Sequence, residues 1–344
     1  MSKLPGDDLD HVLMHTRDLW GELRGQRLFI TGGTGFFGRW ILETFVYANE
    51  QLSLGASAVV LTRNLESFVL KAPHLATRND LQLFQGDVRD FNFPDGNFSH
   101  VIHAGTTSSA PVEPLEMFDT ILQGTRHVLN FAATHGTKKL LFISSGAVYG
   151  KQPPELTHIS EDYHGAPDPL DPNSAYGEGK RAAELLCTLM ANQYGFEAKI
   201  ARCFAFVGPH LPLDAHFAIG NFIRDALQGE SIRVGGDGTP YRSYLYTADL
   251  AIWLWTILFQ GGAGRAYNVG DSAQMTIREV AETTSTALEL TAPVRVAKDS
   301  VPGQVVSRYI PNVDRARTEL GLEARIDLGS SLKKTSLWYK NNDD

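Results

Sequence analysis

Ser144, Ser145, Tyr176 and Lys180 bring two hydroxyls, a phenol and an ammonium into the middle of a 344-residue chain. Tyr176 and Lys180 stand four residues apart at the start of a helical pattern, so one helix face carries both groups. The two serines follow the apolar run 140–143 and so stand at a strand's carboxyl end, where open α/β sheets place ligands. Upstream, Arg27-Leu28-Phe29-Ile30-Thr31-Gly32-Gly33-Thr34-Gly35-Phe36-Phe37-Gly38-Arg39-Trp40 runs from a short apolar strand through glycines into an apolar-periodic helix. Gly32 suits the tight turn, Gly35 the approach of a backbone to a pyrophosphate, and Gly38 close packing of helix on sheet. The helix N-terminus then turns its amides and positive dipole end towards the phosphates. Taken singly, a Tyr-x-x-x-Lys pair is a packing pair and two serines are a turn. Joined to a dinucleotide turn, they read as chemistry at a bound cofactor.

Strands are expected at 28–31, 58–62, 81–85, 100–103, 140–144 and 198–202, with helices between several of them, as at 118–135 and 177–194. That alternation specifies a doubly wound parallel sheet, a Rossmann-type α/β fold. After about Phe204 the texture changes, and Gly208 to Tyr241 is rich in Gly and Pro. Only a short helical run near 221–228 interrupts it; a strand at 243–246, a helix from Asp249, a strand at 266–269 and a helix at 277–288 follow. The expected division is therefore 1–203, the dinucleotide-binding domain with an N-terminal helical extension, and 204–344, a smaller substrate-binding α/β region. Some elements of the latter are expected to return to the main sheet.

A net charge of -8 argues against a nucleic-acid partner. Two cysteines, Cys187 and Cys203, support neither a disulfide framework nor a cysteine-rich metal site, and no metal is expected. Met1 to Arg24 lacks the unbroken apolar core of a signal peptide, and its apolar residues from Leu9 to Leu23 fit one face of a helix. The longest apolar stretch, Leu250 to Phe259, is too short to span a bilayer. A soluble, cytoplasmic protein with no membrane partner is expected.

Together these segments resemble the extended short-chain dehydrogenase/reductases, in the branch that modifies nucleotide-linked sugars. The likeness covers nearly the whole chain. It implies cofactor contacts from Gly32, Thr34, Gly35, Phe36, Phe37 and Gly38. Asp87 and Val88, in Gly86-Asp87-Val88-Arg89-Asp90, resemble the adenine-contacting segment. Ala104, Gly105 and Thr106 resemble the nicotinamide-side strand end, and Phe204 lies in a segment, Arg202 to Pro209, like the start of the sugar-nucleotide half. The same resemblance implies a homodimer, through the helices at 118–135 and 177–194, and makes Ser145, Tyr176 and Lys180 the catalytic residues. Tyr176 would shuttle the proton. A free phenol titrates near 10, and the Lys180 ammonium and a positive nicotinamide ring both favour phenolate. Lys180 would also bond the nicotinamide ribose, and Ser145, with Ser144 as fallback, would bind the sugar oxygen. Tyr149 reads as structural or pocket-shaping.

The departures from the pattern narrow the reaction. Where 4,6-dehydratases carry Asp-Glu after the Ser/Thr, and decarboxylases usually a Glu, this chain has Gly146-Ala147. A dehydratase would have to recruit Glu161, Asp162 or His216. The pair suits a 4-epimerase or 4-ketoreductase. The second strand ends Leu61-Thr62-Arg63-Asn64, without the Asp that holds an NAD ribose, and Arg63 can face a 2′-phosphate. The cofactor is therefore NAD(P), with NADP(H) favoured over NAD. Ala205 replaces the family's sugar-diphosphate Asn, which points to Asn221, while Arg242 matches the diphosphate-binding arginine. Two other readings stand: a dehydratase with displaced acid and base, and a non-catalytic dinucleotide-binding regulatory protein.

Overall fold

A computed structural model of the protein describes residues 3–105, 112–215, 217–301 and 303–342. The chain divides into two compact units. One comprises Met1–Gly150, Ala166–Arg202 and Ala251–Tyr267, and the other Lys151–Gly165, Cys203–Leu250 and Asn268–Asp344.

The first unit is built on seven strands: β1 (Arg27–Thr31), β2 (Ser57–Thr62), β3 (Leu81–Gln85), β4 (His100–His103), β5 (Lys139–Ser145), β6 (Glu197–Cys203) and a last strand, Arg265–Val269. The last strand forms one edge, followed across the sheet by β6, β5, β4, β1, β2 and β3. β1 pairs in parallel with both β2 and β4, with Thr31 opposite Leu61 and His103. The chain runs outward from β1 through β3 and then returns to β4. The carboxyl ends of β1 and β4 therefore flank the point where strand order reverses, the place where open α/β sheets bind ligands. Helices cover both faces, which is why β1 reads as a continuous apolar run rather than an alternation.

Those helices include α2 (Phe36–Gln51), the short α3 (Leu65–Lys71) and α4 (Pro73–Ala76), α5 (Pro114–Thr134) and α6 (Ala175–Tyr194). Pro114 opens α5, where its missing N–H costs nothing, and Gly195 closes α6 in the left-handed conformation at φ +78°. Beneath them Phe29, Phe98, Phe131 and Phe142 form the aromatic centre of the core. Ahead of β1 the chain forms α1 (Gly6–Thr16) and then a 3₁₀ turn, Arg17–Leu23, instead of one amphipathic helix. The tighter winding lines up residues three apart, so Trp20 and Leu23 are both buried. Trp20 lies 4.5 Å from Trp255, on the helix Thr247–Gln260. No helix among the described residues is long and apolar enough to cross a membrane.

Among the described residues the second unit's own small sheets are built of two-residue strands. Phe206–Val207 pairs with Leu245–Tyr246, and Tyr241–Arg242 lies between Met275–Thr276 and Arg308–Tyr309. Of the strand expected at 243–246 only Leu245–Tyr246 forms; Ser243-Tyr244 carries the chain from one sheet to another, after Tyr241–Arg242. The helix Ile277–Ala287 starts on a capping box: Thr276 Oγ1 accepts from Glu279 N, and the Glu279 carboxylate accepts from Thr276 N.

Candidate active site

β1 ends at Thr31 and α2 begins at Phe36, so the glycine turn stands at the switch point of the sheet. Gly32 has φ +72°, and a Cβ there would overlap the Ala104 carbonyl oxygen at the end of β4. A Cβ on Gly38 would overlap the Gly32 carbonyl, so α2 can lie this close to the turn only with glycine there. Gly35 is different. Its φ is -84°, and an added Cβ would sit 3.5 Å from Gly32 O, an ordinary contact. The protein's own atoms do not require a glycine at 35. Thr34 and Gly35 are exposed and Phe36 and Phe37 half-buried. No side chain caps α2 and its first turn has no acidic residue, so its backbone N–H groups form an anion-receptive end.

Across the switch point, Ala104 N donates to Thr31 O at 3.2 Å and Gly105 N to Thr31 Oγ1 at 2.9 Å. Thr106, the third residue expected there, lies outside the described residues. Asp87 follows β3, and both its oxygens accept from Arg89, from Nε at 2.8 Å and Nη2 at 3.0 Å. Those bonds hold the Asp87 carboxyl below its usual range, with Arg63 adding a smaller share through charge. Arg63 itself is exposed. The Val88 side chain is buried over Gly124 of α5, which leaves its backbone as the part available to a ligand.

The two serines at the end of β5 have separate roles. Ser144 donates to Glu184 Oε1 at 2.5 Å and is committed to that bond. Ser145 caps the following 3₁₀ turn, accepting from Ala147 N at 3.1 Å. On α6 the Lys180 ammonium is 1% exposed and donates to Ile143 O at 2.6 Å, which ties it to the same strand. It lies 5.9 Å from the centre of the half-buried Tyr176 ring. β5 and one face of α6 thus bring Ser145, Tyr176 and Lys180 to the carboxyl edge of the sheet.

Glu184 was not anticipated, although it continues the face of Tyr176 and Lys180 by one further turn. It pairs with Arg202 of β6, with Nη2 at 2.7 Å from Oε2, and Arg202 Nη1 donates to the Tyr149 hydroxyl at 2.9 Å. Burial works against the Arg202 charge, but its bonds and Coulomb attraction to Glu184 prevail and raise its pKa. Tyr149 is accordingly held within the fold. The structural role of His103 was also missed, since an isolated buried histidine leaves no periodic signal.

The remaining candidates belong to the second unit. Phe204 N donates to Val269 O, and its ring lies 4.7 Å from that of Tyr309. Asn221 Oδ1 accepts from Arg224 at 3.1 Å, and the half-buried Arg242 donates to Tyr241 O at 2.7 Å. Of the substitute acid–base residues, Glu161 accepts from Asn268 N at 2.8 Å and its other oxygen lies 4.0 Å from Arg315. Arg315 donates to Asp162 at 2.6 Å. Both carboxylates have structural partners; His216 lies outside the described residues. Cys187 and Cys203 are buried and unbridged.

With this geometry, a family model matches residues 28–270, and the chain belongs to the NAD-dependent epimerase/dehydratase family, a group of extended short-chain dehydrogenases/reductases. It is similar to UDP-glucuronic acid decarboxylase 1 of Danio rerio, at 27% identity over 91% of this chain and 72% of that protein. It is also similar to the dTDP-glucose 4,6-dehydratase of Streptomyces niveus, at 25% identity over 92% of this chain and 93% of that one. The fold matches a UDP-N-acetylglucosamine 4-epimerase from Methanobrevibacter ruminantium with a TM-score of 0.77 at 22% identity, covering 92% of this chain and 98% of that one. A UDP-glucose 4-epimerase from Thermotoga maritima gives a TM-score of 0.75 at 20% identity, over 93% and 100%.

Proposed function

We propose that the protein is an NAD(P)-dependent enzyme that moves a hydride at C4 of a nucleotide-diphosphate sugar, as a 4-epimerase or a 4-ketoreductase. The observation that carries this reading is a full Ser145, Tyr176 and Lys180 set in which Ser145 is followed by Gly146-Ala147, where a dehydratase needs an acid and a base. The nicotinamide would supply or accept the hydride. Tyr176 moves the proton at the sugar oxygen, Lys180 favours its phenolate, and Ser145 donates to the same oxygen. Gly32, Gly35, Gly38 and the open N-terminus of α2 would hold the pyrophosphate, Asp87 and the Val88 backbone the adenine end, and Ala104 to Thr106 and Phe204 the nicotinamide end. Arg242 and Asn221 would bind the sugar nucleotide. The prior commitments of Glu161 and Asp162 weigh against a dehydratase that recruits either.

The test is a panel of nucleotide sugars, UDP-glucuronate and 4-keto-6-deoxy derivatives, with and without NADPH, with products identified by mass spectrometry and NMR. Inversion or reduction at C4 is the expected result. Release of a 4-keto-6-deoxy product from a nucleotide hexose, or of CO₂ from UDP-glucuronate, would place the chain with the relatives named above instead. Tight dinucleotide binding with no turnover would make it a regulatory protein.

Arg63, exposed just after β2 where the sequence carries no Asp, supports a preference for NADP(H). A charge-assisted bond to a 2′-phosphate contributes about 1.5–3 kcal/mol, so Arg63→Ala should weaken NADPH binding tenfold or more and leave NADH nearly unchanged. Wild-type protein that binds NADH more tightly than NADPH would refute this.

A further inference from the structure

His103 closes β4 with its ring fully buried, and the proton shuttle just described does not use it. Nδ1 lies 2.7 Å from Thr31 Oγ1, at the end of β1, and Nε2 lies 3.0 Å from Thr125 Oγ1, on α5. Thr31 Oγ1 is the same atom that accepts the Gly105 N–H. One hydrogen-bonded chain therefore runs Gly105, Thr31, His103, Thr125, and joins the two strands at the switch point to the helix beside them. Burial, helped by the nearby Lys180 charge, lowers the His103 pKa to about 3. The ring is neutral at working pH, with one nitrogen a donor and the other an acceptor.

The geometry shows what the chain controls. A Cβ on Gly32 would overlap the Ala104 carbonyl oxygen, and a Cβ on Gly105 would lie 2.7 Å from Thr31 Oγ1. The glycine turn and the β4 end thus touch with no side chain between them. Beyond the backbone bond from Ala104 N to Thr31 O, the Gly105 amide is held by the Thr31 hydroxyl, and that hydroxyl is bonded in turn to His103.

We propose that His103 is a positioning residue for the dinucleotide: through Thr31 it fixes the Gly105 amide, and so the spacing of the two strand ends that flank the cofactor. The proposal rests on the dinucleotide-site reading above and assigns His103 no contact with the cofactor and no proton transfer.

Two substitutions separate positioning from simple core packing. An asparagine amide reaches as far as Nδ1, and a glutamine amide as far as Nε2. His103→Asn can therefore keep the bond to Thr31, and His103→Gln only the bond to Thr125. NADH and NADPH affinities of the full chain, measured by calorimetry, should fall tenfold or more in His103→Gln and stay within about threefold of wild type in His103→Asn. Denaturant unfolding of the free proteins should meanwhile give the two variants similar losses of stability. Thr31→Val should behave like His103→Gln, and Thr31→Ser like wild type; this pair decides the matter if neither ring variant folds. Equal affinities in the Asn and Gln variants, or affinities that simply follow stability, would overturn the proposal. Wild-type protein that binds neither dinucleotide would instead overturn the functional reading on which it stands.

Discussion

Under the proposed reaction a phenol near pKa 10 would be a poor base at neutral pH, and Lys180, buried on the same helix face, would favour its phenolate. Lys180 is anchored to Ile143 O, so its charge is held in place and does not swing freely. Under the proposed reaction, Tyr176→Phe should lower turnover roughly 10²–10⁴-fold while cofactor affinity and melting temperature stay near wild type. Retention of most activity in steady-state assays would exclude Tyr176 as the proton carrier. His103 predicts a pH dependence of stability that has nothing to do with catalysis. Its folded pKa, about 3, lies below the roughly 6.5 of an unfolded histidine. Between those values the unfolded chain binds a proton that the folded one does not, so stability falls as pH falls. The expected share is about 1.4 kcal/mol per pH unit. Urea titrations from pH 6 to pH 4 should therefore show a shallower loss in His103→Asn than in wild type. At this scale the shared helix face of Tyr176 and Lys180 was legible because i, i+4 spacing carries the signal. Ser144 became distinguishable from Ser145 only once Glu184, forty residues on, stood beside it.

For the element that starts α2, the glycines have unequal roles. Gly38 is required by the protein itself, since a Cβ would run into the preceding turn. Gly35 has room for one. Gly38→Ala should destabilise the free protein, whereas Gly35→Ala should leave its unfolding midpoint unchanged and lose dinucleotide affinity. Calorimetry and denaturation on both variants test the division. If Gly35→Ala binds NADH and NADPH as tightly as wild type, the phosphates do not lie at this turn. The strand–glycine–helix pattern was readable because each glycine answers to a local steric rule. The break of the N-terminal segment into α1 and a 3₁₀ turn was not, because Trp20 winds inward to meet Trp255, far away in sequence.

For the whole molecule, α5 and α6 pack on each other, yet α6 leaves Leu185 and Leu189 59% and 55% exposed. Two leucines one helical turn apart support the expected homodimer through this face. Light scattering at micromolar concentration should report twice the chain mass. The double variant Leu185→Lys and Leu189→Lys should be monomeric, with cofactor affinity retained. A monomeric wild type would rule the interface out.

Local sequence alone determined the strand and helix alternation, the Rossmann-type sheet and the placing of Tyr176 and Lys180 on one helix face, whereas the choice of Ser145 came from the family resemblance. The first three rest on residues within a few positions of one another, where periodicity and sterics act directly. The sequence also showed that Gly146-Ala147 offers no acid or base. Tertiary structure alone decided which of two identical serines is committed, that Glu161 and Asp162 are engaged, and that Arg202 joins Glu184 to Tyr149. It also tied His103 to both Thr31 and Thr125. Hydrogen bonds and ion pairs between distant segments have no period in the sequence. They exist only once the sheet brings β1, β4, β5 and β6 side by side.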